Sequence, residues 1–83
     1  MNRKVLRQNF AQILKEKRTE LNCSQEKMAE ICHLSARGYP NLENAKSLPK
    51  FETLIYLITV LDIDFNEYIK SMIEIGAIDG DDD

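Results

Sequence analysis

Cys23, Cys32 and His33 are the residues whose types could hold a metal ion or act as nucleophile and base. Their spacing offers neither use. The two cysteines stand too far apart for a C-x-x-C pair, and two thiols alone make no disulfide framework. His33 adjoins Cys32, but neighbours on a helix point about 100° apart, and no second ligand pair follows. The Cys, His and carboxylate residues lack the grouping of nucleophile, base and orienting group that catalysis needs. The sequence therefore reads as that of a non-enzyme with no cofactor and no metal site, its cysteines reduced and packed in a core.

The charged residues carry more information. The net charge is −3, yet residues 1–50 hold ten Lys/Arg against five Glu, a balance of +5. Residues 51–83 hold one Lys against nine Asp/Glu, a balance of −8. Such asymmetry points to a basic working surface and an acidic tail, against the plainer reading of solvated surface charge. At 83 residues and 43% hydrophobic content the chain has room for one small domain. It has no run approaching the roughly 18 apolar residues of a membrane span and no signal-peptide pattern. The expectation is a soluble, cytoplasmic protein with no membrane partner.

Those charges must be positioned by helices, since no strand-like alternation occurs. Leu6, Phe10, Ile13, Leu14 and Leu21 form one helical stripe, predicting helix 1 over residues 3–21. Ser24 opens a short helix 2, with Met28, Ala29 and Cys32 facing inward. His33 follows where a tight turn wants a left-handed residue, which explains it without catalysis. Ser35 is the expected N-cap of helix 3, which presents Tyr39 and Leu42 to the core, and "KSLP" is the loop that follows. Helix 4 opens near Pro49 or Lys50 with Phe51, Leu54, Ile55, Ile58 and Leu61 inward. Leu57 and Val60 lie off that stripe, so this helix is central or shared with another subunit. Asp64 caps helix 5, expected over residues 65–75 with Phe65, Tyr68, Ile69, Met72 and Ile73 on one face, and Gly76 ends it. The division is a domain over residues 1–76 and an acidic disordered tail over residues 77–83.

The stretch "CSQEKMAEICHLSARGYPNLENAKSLPKFETLIYLITVLDI" resembles the helix-turn-helix of the Cro/phage-repressor (XRE) family. The likeness lies in Ser-Gln-x-x-Met-Ala of helix 2, Leu-Ser at the start of helix 3, Leu-Glu-Asn-x-Lys after it and Pro-x-Phe-Glu-Thr-Leu of helix 4, and covers roughly residues 7–69. It implies an all-α, five-helix lambda-repressor-like domain that binds double-stranded DNA as a transcription regulator of the Cro/repressor type. Residues 35–44 would then meet the major groove. By the same resemblance Gln25 meets a phosphate or braces helix 3, Ser35 opens the reading segment, and Ala36, Arg37 and Asn41 face base edges. Arg37 is the strongest reader, since a guanidinium binds guanine O6 and N7 together. Asn44 and Lys46 match positions on the sugar-phosphate backbone. Arg18 and Glu43 match a buried ion pair tying helix 1 to helix 3, and helices 4 and 5 offer a homodimer contact.

Two residues depart from the family pattern. Inside a helix Pro40 removes a hydrogen bond at a cost of about 3 kcal/mol, and Gly38 costs about 1 kcal/mol relative to Ala. Residues 35–39 are therefore expected to be loop-like, with a short helix restarting at Pro40. Ala45 also stands where the family commonly has Gly. The alternative function is a degenerate helix-turn-helix acting as a protein-interaction or antitoxin-like module with weak or no DNA binding.

Overall fold

The structure is a computed structural model and describes residues 1–78. The described residues are all-helical: α1 Arg3–Leu21, α2 Gln25–Ile31, α3 Gly38–Glu43, α4 Phe51–Leu61 and α5 Phe65–Glu74. Three of the helix starts are written in single side chains. Asn2 Oδ1 accepts the Val5 N–H, Ser24 Oγ that of Lys27 and Asp64 Oδ1 that of Glu67, each at 3.1 Å. Each cap satisfies a backbone donor that the first helical turn leaves without a partner.

All five helices stop by one device. A left-handed residue follows each, namely Asn22, His33, Ala45, Asp62 and Gly76, with φ between 53° and 80°. The next N–H then reaches back five residues: Cys23 to Arg18, Leu34 to Ala29, Lys46 to Asn41, Ile63 to Ile58 and Ala77 to Met72. This closure satisfies carbonyls at the helix end and turns the following side chain back toward the core. Ile63 and Ala77 are buried in that way. Ala77, assigned to the tail by the sequence reading, is 1% exposed, and its carbonyl accepts the Asn2 N–H at 2.8 Å. The folded unit thus includes Ala77, while the Asp-rich residues 79–83 lie outside the described residues.

Of the five stops, Ala45 has neither the missing Cβ of glycine nor a polar side chain able to bond its own backbone. A non-glycine residue in this conformation costs about 1 to 2 kcal/mol. Ala45→Gly is therefore expected to stabilise the domain by about 1 kcal/mol after the added entropy of the unfolded glycine is subtracted. For a domain of this size that is a rise of about 4 to 8 °C in Tm by calorimetry. An unchanged Tm would show that the exit turn carries no strain.

Phe10, Leu14, Met28, Tyr39, Leu42 and Leu57 form the centre of the core. Three expectations about faces need correction. In α4 it is Leu57, at 0% exposure, that fills the core together with Leu61, while Phe51 and Ile55 stand out at 76% and 50%. The helix is apolar on both sides, so its spacing allows either rotation, and packing in the core places Leu57 and Leu61 inward. Leu21 and Ile73 are also exposed. In α1 the turn between Leu14 and Leu21 carries Arg18 rather than an apolar residue, and the packed stripe ends there.

Candidate nucleic-acid interface

A helix of six residues cannot hold itself in water, so α3 must be fixed by what it packs against. The fixing point is Glu43, whose side chain is 1% exposed. Its carboxylate accepts Arg18 Nε at 2.7 Å and Nη2 at 3.0 Å, the paired geometry of guanidinium on carboxylate. Gln25 Nε2 adds a bond at 2.7 Å and the Tyr39 hydroxyl one at 2.8 Å. Arg18 Nη1 also donates to the Cys23 carbonyl at 3.1 Å. One carboxylate therefore ties α1, α2 and α3 together. Among the described residues, no buried side-chain polar atom lacks a partner.

The protonation states follow from this arrangement. Burial alone would push the Glu43 carboxyl up, but the hydrogen bonds from Arg18, Gln25 and Tyr39 outweigh it and hold the group below its ordinary range. Burial, reinforced by the bond to Glu43, raises the Tyr39 hydroxyl far above its usual value, so it stays a donor. The hydrogen bond to Glu43 likewise raises Arg18. Burial pushes the Cys32 thiol up, away from thiolate chemistry. His33 packs its ring 4.9 Å from that of Tyr56, bracing the turn before α3 against α4.

The start of α3 is set by Pro40. A ladder reaching back to Ser35 would need a bond from residue 40 to the Ala36 carbonyl, and proline has no N–H to give. The first regular bond is therefore Asn41 N to Arg37 O at 3.0 Å, and the helix opens at Gly38, two residues before the expected restart at Pro40. Residues 36–37 form a turn, capped by Ser35 Oγ, which accepts the Gly38 N–H at 2.9 Å. A Cβ on Gly38 would stand 3.0 Å from that oxygen, so glycine makes room for the cap. Pro40 sits in the first turn, where its missing N–H has no partner to lose. Pro40→Ala should accordingly change stability by no more than about 1 kcal/mol. A gain of about 2 kcal/mol or more in urea unfolding would mean that the proline is tolerated strain instead.

With Tyr39, Leu42 and Glu43 buried, the opposite face of the segment carries Arg37, Asn41 and Asn44, all exposed and spaced one helical turn apart. Ser35, Ala36 and Lys46 are exposed at its two ends. Among the described residues, Arg37, Asn41, Asn44 and Lys46 make no side-chain hydrogen bond or ion pair, so their donors are available to a ligand. Gln25 is set apart, because its amide is spent on Glu43, the bracing role of the two that the resemblance allowed. Sequence reasoning missed Tyr39 as a ligand of Glu43. The four-residue spacing of Tyr39 and Glu43 on one helix was the available signal.

A family model described as helix-turn-helix matches residues 14–68, more than half of the chain. No match was found among curated proteins or among solved structures.

Proposed function

Because the chain belongs to the Cro/C1-type helix-turn-helix (XRE) family, we propose that it is a sequence-specific regulator of the Cro/repressor type that reads DNA through residues 35–44. The family is one of DNA-binding transcription regulators, and its domain is the lambda-repressor-like all-α fold. In this reading α3 lies in the major groove. Arg37 meets a guanine, Asn41 offers the amide that suits adenine, and Ala36 makes apolar contact with a base edge. The Ser35 hydroxyl, Asn44 and Lys46 bond phosphates and set the register. Gln25 contributes by holding Glu43, and through it the angle of the reading helix.

The observation that carries this reading is the outward row of Arg37, Asn41 and Asn44 on a helix whose inner face is pinned by Glu43. The exposed Phe51, Ile55 and Val60 of α4 and Ile73 of α5 favour a homodimer through these helices. A two-fold pair would space two readers about 34 Å apart on a palindromic site.

Selection of bound fragments from random duplex DNA, followed by a salt titration, tests the proposal. A shared motif should emerge, and log affinity should fall linearly with log salt. Failure to enrich any sequence, together with salt-indifferent binding to a protein partner, would instead support the interaction-module reading that the apolar face of α4 favours.

A further inference from the structure

The surface beside the reading helix carries a second feature that α3 does not explain. The segment after α3 runs alongside α1, and two open hollows lie between them. The first, about 330 Å³, is lined by Gln8, Gln12 and Lys15 of α1 and by Glu43, Asn44 and Ala45. The second, about 510 Å³, is lined by Arg3 and Arg7 of α1 and by residues 46–50, including Lys46 and Lys50.

Among the described residues, the second hollow has four cations on its wall and no carboxylate. The only carboxylate that the described residues bring to the first is Glu43, already bonded to Arg18. Arg3 and Arg7 stand one turn apart on α1, about 40° from each other around its axis, and Lys15 lies two turns further on, about 80° beyond Arg7. Among the described residues, none of Arg3, Arg7, Lys15, Lys46 and Lys50 forms an ion pair. Uncompensated like charges facing one another across a trough repel, so the arrangement favours an anion between them.

The geometry points to a phosphate track: the trough between α1 and residues 44–50 holds one backbone strand of duplex DNA flanking the segment that α3 reads. The length of the track selects a polyanion over a single phosphate. From Arg3 to Lys15 the helix rises about 18 Å at 1.5 Å per residue, which matches about five strand charges at 3.4 Å each along the duplex axis. Lys46 belongs to both surfaces, since it lines the trough and its N–H bonds the Asn41 carbonyl of α3. The inference rests on the DNA-binding reading and extends its footprint to Arg3, Arg7, Lys15 and Lys50.

The test is fluorescence anisotropy with the full chain and a mixed-sequence duplex of about 30 base pairs, from 50 to 200 mM salt. Each phosphate contact contributes about 0.9 to the slope of log affinity on log salt. R3Q/R7Q should flatten the slope by about 1.8, so its deficit relative to wild type shrinks about tenfold across that range. R3Q/K50Q, which takes one cation from each wall, should do the same. K4Q/K70Q removes equal charge from exposed lysines that line neither hollow, and should flatten the slope far less. All three variants should melt with wild type, and the motif chosen by R3Q/R7Q from random DNA should be unchanged. A wild-type slope in R3Q/R7Q, or equal flattening in K4Q/K70Q, overturns the track and leaves DNA binding by α3 standing. Absence of salt-dependent duplex binding by the wild-type chain overturns both.

Discussion

Arg18→Met is expected to lower the unfolding free energy by about 3 to 5 kcal/mol, the usual cost of stranding one member of a buried ion pair. Glu43 would keep Gln25 and Tyr39 as donors but lose the charge that offsets its burial. The same exchange at Arg3, exposed in the first turn of α1, should leave stability nearly unchanged. Acid should narrow the gap. In the wild type the Glu43 carboxyl lies below its unfolded value of about 4.3, so its contribution is complete above that pH and is lost as pH falls through the folded value. In the variant the Arg18 contribution is gone, so burial is less fully offset and the Glu43 carboxyl lies higher than in the wild type. The variant therefore loses less stability than the wild type as pH falls, and the gap between them shrinks. Urea midpoints at pH 7 and pH 4 measure both effects. Equal midpoints for Arg18→Met and Arg3→Met at pH 7 would show that Glu43 does not depend on the pair.

Arg37→Ala and Lys46→Ala should separate reading from gripping. Arg37 stands at the opening of α3, exposed, where two parallel donors can meet guanine O6 and N7. Its loss should remove about 1 to 3 kcal/mol of discrimination at one position of the selected motif while other positions keep their preference. Lys46 lies beyond the helix and carries a single point charge. Its loss should weaken all sequences about equally and flatten the salt slope by about 0.9. Repeating the selection with each variant, with affinity measured against salt, reads both outcomes. Identical motif profiles for the two variants would remove Arg37 from the reading role.

The helices and their ends were legible in the sequence because the signals are local. Ser24 and Asp64 cap their helices through a donor three residues on. His33 takes the left-handed conformation expected of it, and Gly76 follows the end of α5 as expected. The consequence of Pro40 was legible too, since a missing donor breaks the ladder in any context. The Arg18–Glu43 tie came from the family resemblance, and the geometry bears it out.

What only the tertiary structure decided is which side of an element faces in, and what meets across elements. In α4 the sequence is apolar on two faces, so Leu57 and Phe51 are equivalent by periodicity. Only packing on α1 to α3 makes one the core and the other the surface. Tyr39 reads as a core aromatic, yet its hydroxyl completes a carboxylate cage whose other donors come from α1 and α2. Arg3 and Lys50 are far apart in the chain, and become two walls of one trough because the segment after α3 is laid along α1. Hydrogen bonds within one turn are fixed by residue type and spacing, whereas burial and clustered charge depend on which distant surfaces are brought together.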